Sequence, residues 1–426
     1  MTVFRIDCGY RNYDWGKLGL TLAVAKFAAS LNPNTKVDEL KPYAELWMGT
    51  HPLVPSVVVD NGKLLREVIE ADPSLVTEPV IKKFGGNVEL PFLFKVLLIN
   101  KALSIQAHPD KLLGKVLHAN DPKNYPDDNH KPEMAIALTD FEGFCGFKPL
   151  DQLATTLKTI PEFREIIGDD IAEQFINGID TTATEGLEAD KNNRKLLQAV
   201  FGKLMHTDEA TIQTQAKKLV NRAETNPDAL NAIDSRLAEL IVRLNKQFPE
   251  DVGLFCGCLM LNHCELKAGE AMFLKAKDPH AYILGDIIEC MAALDNVVRA
   301  GFTPKFKDVD NLVDMLTYSY DPIEKQKMPT TPCDKASGQA LKCVVFNPPI
   351  DEFAVLQTVL DKQGDKEHFD AFDGPSIIIA TNGAGTLKAD GQEYPFAQGY
   401  VYFIGPNTAY DLVASEAGFT TYRAYA

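Results

Sequence analysis

Leu103-Ser104-Ile105-Gln106-Ala107-His108-Pro109 is the stretch that decides how the rest of the chain is read. Apolar Leu103, Ile105 and Ala107 alternate with polar Ser104, Gln106 and His108. Side chains of a β-strand point alternately to its two faces. This is therefore a strand with one packed face and one face bearing a hydroxyl, an amide and an imidazole. Pro109 has no N–H to give to a ladder and ends the strand. Such a face suits the rim of a metal and phosphate site. A solvated strand face is the alternative from this stretch alone, and the flanking sequence must choose.

Upstream, Pro91-Phe92-Leu93-Phe94-Lys95-Val96-Leu97-Leu98-Ile99 is long and apolar enough for a central strand. Asn100-Lys101 is expected to turn it into the first stretch as a hairpin. Lys95 inside that run either reaches the sheet edge or points into a cavity that holds an anion. Downstream, a polar, turn-rich segment over 121–129 leads to His130-Lys131-Pro132-Glu133-Met134-Ala135-Ile136-Ala137-Leu138. This segment is strand-like, with Lys131 and Glu133 on one face.

The texture changes along the chain. Residues 1–150 read as mostly β, with apolar runs broken by Pro and Gly. Over 151–250, Leu197, Val200, Phe201 and Leu204 recur at helical spacing, as do Leu237, Leu240, Ile241 and Leu244. This is a helical domain inserted into a β framework, expected to be separable from it and to carry no chemistry. Residues 251–325 return to β, and His280 and Tyr282 share a strand face there. The linker Met328-Pro329-Thr330-Thr331-Pro332 opens a last domain, 326–426. Its runs 376–380, 383–387 and 400–406 have the strand–turn–strand rhythm of a jelly roll. The fold class is mainly β with an α-helical insertion.

At 426 residues there is room for two or three domains. The formal net charge of -16 argues against nucleic acid or an anionic membrane surface as partner. A small anionic substrate stays compatible, because a local cluster of lysine and arginine dominates within a Debye length of about 8 Å. No apolar run is long enough for a membrane span, and the N-terminal residues lack a signal-peptide layout, so a cytoplasmic location is expected. The eight cysteines are scattered as reduced thiols would be. Cys256-Gly257-Cys258 with Cys264 lacks the spacing of a zinc ribbon.

Gln106, His108, Glu133 and His280 form a candidate ligand set. Two imidazoles and a carboxylate suit a borderline-soft divalent ion, and an amide oxygen as fourth ligand would leave the ion electrophilic. The surrounding motifs carry a family resemblance. They are Tyr13-Asp14-Trp15-Gly16, Ala44-Glu45-Leu46-Trp47-Met48-Gly49-Thr50-His51-Pro52 and Ser104-Ile105-Gln106-Ala107-His108-Pro109-Asp110-Lys111. His130-Lys131-Pro132-Glu133, Asp278-Pro279-His280-Ala281-Tyr282 and Asp295-Asn296-Val297-Val298-Arg299-Ala300-Gly301 continue the series. In order and spacing, nearly end to end, the chain resembles the type I phosphomannose isomerases of the cupin superfamily.

The resemblance implies one Zn2+ per chain on Gln106, His108, Glu133 and His280, with Arg299 as the catalytic arginine. It implies interconversion of mannose 6-phosphate and fructose 6-phosphate, a supply of mannose 6-phosphate for GDP-mannose and glycan synthesis, and a monomer. It also implies two cupin-like jelly-roll domains plus a helical domain: a discontinuous catalytic domain over 1–150 and 251–325, the helical domain over 151–250, and the second jelly roll over 326–426.

Around that centre, a fixed guanidinium at Arg299 suits an enediolate oxyanion, and Lys131 could bind an oxygen or move a proton. Ser104 and Lys95 are phosphate contacts by type. Trp15 and Glu45 suit a sugar face and its hydroxyls, and Tyr282 and Lys305 belong to the substrate site. Glu289 and Asp295 both remain open as general base. Two other readings compete with this one. An Fe(II) oxygenase would use His108, His280 and one carboxylate, but Gln106 and the Lys/Ser/Arg set argue against it. A non-enzymatic double-cupin storage protein has no need of the polar face from Ser104 to His108.

Overall fold

The structure, a computed structural model, describes residues 2–31, 36–128, 130–292 and 296–426. Its centre is the strand His280–Ala292. The early part pairs with Phe141–Phe147, and His280 itself opposes Gln106. Further along, the same strand lies between Phe92–Ile99 and Glu133–Ala137. Among the described residues these belong to a 10-stranded antiparallel sheet.

Strand alternation sets which side chains reach the site. Phe92, Phe94, Val96 and Leu98 enter a core shared with Ile377, Ile379, Val401 and Phe403 of a second sheet. Leu97 and Ile99 point the other way, into a core with Ala135, Ala137, Phe141 and Ile287. Lys95 has the parity of Leu97 and is carried into the same interior. Each such apolar side chain contributes roughly 1.5–3 kcal/mol on burial. A one-residue slip would put Lys95 between the sheets, so register is strongly specified.

The second sheet is 8-stranded among the described residues and includes Ala354–Leu360, Phe419–Tyr425, Ser376–Asn382 and Val401–Ile404. A 4-stranded sheet that includes Lys366–Phe369 and Tyr410–Ala414 closes a smaller core behind it. The chain's first strand, Val3–Asp7, pairs with Val401–Ile404 and so lies in this C-terminal sheet.

One expectation is corrected. Phe92–Ile99 and Ile105–Ala107 do not form a hairpin. The first pairs with Glu45–Met48 and His280–Ala292, the second with His280 and Val298–Gly301. Asn100 and Lys101 instead give their backbone N–H groups to the Trp15 carbonyl, which carries the chain across. The helices share a core with the sheet. Leu197, Val200, Phe201 and Leu204 of helix Glu188–Met205 pack in one cluster with Ile105, Ala107, Phe144, Phe147, Ala281 and Ile283 of the sheet. The helical layer covers the apolar face of the strands whose other face carries Gln106 and His280. No helix among the described residues is long and apolar enough to cross a membrane.

Candidate active site

Two imidazoles converge on one carboxylate oxygen. His108 Nε2 lies 3.2 Å and His280 Nε2 3.5 Å from Glu133 Oε2. The far sides of the rings are tied to backbone: His108 Nδ1–H donates to the Asn296 carbonyl at 2.7 Å and His280 Nδ1–H to that of Asp278 at 3.1 Å. These bonds select the tautomer that leaves each Nε2 lone pair facing inward. His280 Nε2 is buried and has no hydrogen-bond partner among the described residues, an orphan that a cation would satisfy. Burial lowers the His108 imidazole pKa, so it is neutral. Burial opposes the charge of Glu133, yet the Lys131 ammonium holds its carboxyl well below the usual range. A neutral imidazole at His108 and an ionised carboxylate at Glu133 are the protonation states of metal ligands.

Gln106 stands opposite His280 in the ladder, and its Oε1 accepts from Ser104 Oγ at 3.2 Å. The donor set fits a zinc-type ion. Among the described residues, His108, Glu133 and His280 are the group of this kind, their ligand atoms all within 4.8 Å of one another. Cys256, Cys258 and Cys264 are buried free thiols outside it.

A cavity of about 1050 Å³ opens over this centre, with Gln106, Lys131, Glu133 and Arg299 in its lining. Lys131 Nζ is 2.9 Å from Glu133 Oε1. Arg299 faces Gln106 across the ladder. Lys95 is only 6% exposed and lies 3.2 Å from Glu289 Oε2 and 3.4 Å from Glu45 Oε2. Burial disfavours its charge, but the two carboxylates outweigh burial and keep it protonated. Trp47 Nε1–H donates to Glu45 Oε2 at 2.6 Å, and the Trp47 ring faces Lys95 Nζ at 4.8 Å. Burial raises the Glu289 pKa, Lys95 pulling against it. Tyr282 O–H donates to Glu289 Oε1 at 3.0 Å, its phenol kept neutral first by burial and then by that carboxylate. Trp15 stacks on Tyr13 at 5.7 Å, and exposed Lys305 lines the mouth. Asp295 lies outside the described residues.

Lys95 and Ser104, phosphate contacts by type, both line the cavity, Lys95 beside Glu45 and Glu289 and Ser104 bonded to Gln106. The helical layer, expected to be chemically silent, supplies Thr207, Glu209 and Gln213 to the cavity wall, at and just before the start of helix Glu209–Thr225. Asp208 caps that helix by accepting from Thr211 N–H, and the run Thr207-Asp208-Glu209 is a readable helix start. Nothing in the sequence shows that it ends at the cavity. Lys101 and Lys307 also line the rim.

Family models match three parts of the chain: phosphomannose isomerase type I catalytic domain over 3–150, helical insertion domain over 166–261 and C-terminal over 343–392. Mannose-6-phosphate isomerase of Candida albicans is 61% identical over 99% of this chain and 98% of its own length. That of Saccharomyces cerevisiae is 59% identical at the same coverage. Among solved structures, a zinc-bound holo mannose 6-phosphate isomerase superposes with a TM-score of 0.79 at 27% identity, covering 100% of this chain and 99% of that one. A single-residue variant of phosphomannose isomerase from Salmonella typhimurium gives 0.80 at the same identity and coverage. The chain belongs to the type I phosphomannose isomerase family.

Proposed function

We propose that this chain interconverts mannose 6-phosphate and fructose 6-phosphate, with one zinc ion per chain held by Gln106, His108, Glu133 and His280. The observation that carries this reading is the convergence of two buried imidazole Nε2 atoms on Glu133 Oε2, beside the Lys95–Glu289 ion pair. The relatives' names agree with it. Zinc held there would supply a Lewis acid for the sugar's oxygens.

The chain's own residues do the rest. Glu289 takes the proton from C2 and returns it to C1 by an enediol route. Its raised pKa brings a carboxylate toward the value a base needs near neutrality. Tyr282 and Lys95 hold its two oxygens. Asp295 is the other candidate base. The Arg299 guanidinium steadies the enediolate oxygen. Lys131, at 2.9 Å from Glu133, can bind a substrate oxygen or carry a proton. Ser104 and Lys305 contact the substrate from floor and mouth, and Trp15 and Glu45 line the sugar. We place the activity in a cytoplasmic monomer, without nucleic-acid or membrane partner, that supplies mannose 6-phosphate for GDP-mannose and glycan synthesis. Residues 1–150 with 251–325 form its catalytic domain, 151–250 its helical domain and 326–426 its second jelly roll.

The test is turnover of mannose 6-phosphate in D2O. Fructose 6-phosphate carrying some deuterium at C1 is expected. No product overturns the function. Unlabelled product after many passes through equilibrium, with Glu289→Gln near normal rate, replaces the enediol route by a hydride shift.

A further inference from the structure

Outside this site, two cysteines face each other at the edge of the 8-stranded sheet. Thr331 opposes Val345 and Pro332 opposes Val344, so the antiparallel register brings Cys333 opposite Cys343. Cys333 N–H donates to the Cys343 carbonyl at 3.1 Å. Opposed residues of an antiparallel pair have Cα atoms about 4.5–5.5 Å apart, within the roughly 4.4–6.8 Å that a disulfide spans. The two side chains therefore stand on one face of the ladder, opposite each other.

The surroundings favour a thiolate on one of the two. Arg423 is 1% exposed and stacks on Phe372 at 4.0 Å and Tyr410 at 4.8 Å. Its Nε–H bonds Ser376, but its Nη1 and Nη2 have no partner among the described residues. The Cys343 hydrogen bond, the Lys335 N–H and Arg423 bring the Cys333 thiol down to about 7 against burial and Asp334. Cys343 is pushed up by Cys333, burial and nearby Glu367, so one thiolate faces one thiol. Burial pushes Cys8, Cys256, Cys258 and Cys290 up. Cys145 and Cys264 lie in the core of the catalytic sheet. Cys343, by contrast, is partly exposed.

We propose that Cys333 and Cys343 are a reactive dithiol that a low-molecular-weight disulfide converts to an intramolecular disulfide. The Cys333 thiolate attacks one sulfur of the reagent. The reagent's S–S bond breaks, one thiolate leaves, and a mixed disulfide forms on Cys333. Cys343 then loses its proton to solvent and attacks Cys333 Sγ, expelling the second thiolate. Two electrons pass from the cysteines to the reagent, which ends as two thiols. The new bond ties Thr331–Pro332 to Lys342–Phe346. The preceding Met328 N–H donates to the Ala271 carbonyl, so the bond also anchors the segment that joins the two sheets.

The test treats the full-length, metal-loaded protein with glutathione disulfide and maps the products by mass spectrometry. The expected result is loss of two hydrogens, a Cys333–Cys343 cross-linked peptide and a melting temperature raised by several degrees. Cys343→Ser should accumulate one glutathionyl group on Cys333. Oxidation of other cysteines while this pair stays reduced would overturn the proposal. So would a Cys343→Ser protein whose Cys333 stays unmodified.

Discussion

Tyr282 donates its phenol to Glu289 Oε1 at 3.0 Å, although the two are seven residues apart on one strand. An odd separation puts side chains on opposite faces of a regular strand. The parity is broken between Tyr282 and Leu284, where the ladder slips: Leu284 opposes Glu142 while Tyr282 opposes Gly143. Ile283 and Leu284 both pack toward the helices as a result, and the adjacent Gly285 has φ +120°. This one-residue slip lets Tyr282 share the cavity with Glu289.

Tyr282→Phe removes a donor that favours the Glu289 carboxylate. The Glu289 pKa, already raised by burial, should rise further. If Glu289 is the base, the acid limb of kcat moves to higher pH, and kcat at neutral pH falls about tenfold, the equivalent of about 1.4 kcal/mol. A pH profile of kcat checks this; an unmoved acid limb assigns the base elsewhere.

Arg299→Ala should lower kcat at least about a hundredfold with a smaller change in KM, because its contact strengthens as the oxyanion forms. Steady-state kinetics decide it. A change in KM alone would make Arg299 a ground-state binding group.

Glu142 joins the sheet to the helices, contacting His263 on its own sheet and Arg236 and Arg243 beside or on helix Leu237–Gln247. Burial raises its pKa, but His263 and Arg243 outweigh burial and bring it down to about 2. A depressed carboxylate contributes stability that is complete above its unfolded value of about 4.3 and is lost as pH falls toward about 2. Glu142→Gln should cost about 1 kcal/mol at pH 7 after solvent screening, and should flatten the fall in stability between pH 4 and 2. Denaturant melts across that range measure both.

The alternation from Leu103 to His108 was legible because it is a local consequence of the pleat. Ile105 and Ala107 pack on the helices while Gln106 lines the cavity. Lys95 was legible as a charge inside an apolar run, but its partners were not. Glu45 and Glu289 reach it from the strands on either side, and only long-range register brings them together. Trp47 is buried at 7%, yet its N–H serves Glu45. The entry of Val3–Asp7 into the C-terminal sheet and the parity break between Tyr282 and Leu284 leave no periodic trace for a window of residues to detect.

The helices should not be removable. Deleting them would uncover Ile105, Ala107, Phe144, Phe147, Ala281 and Ile283. Limited proteolysis should yield no stable β fragment, and thermal unfolding should lose helix and sheet signals together. A protected sheet fragment surviving loss of the helices would show that the shared core is dispensable.

The central claim is that activity resides in a metal held by His108, Glu133 and His280 with Gln106. Its most direct measurement strips the protein with a chelator, then follows mannose 6-phosphate turnover and bound zinc together as zinc is added back. Activity should rise in proportion to bound metal and level off at one zinc per chain, and His280→Ala should stay folded, metal-poor and inactive. Full turnover by the metal-free protein would contradict the account.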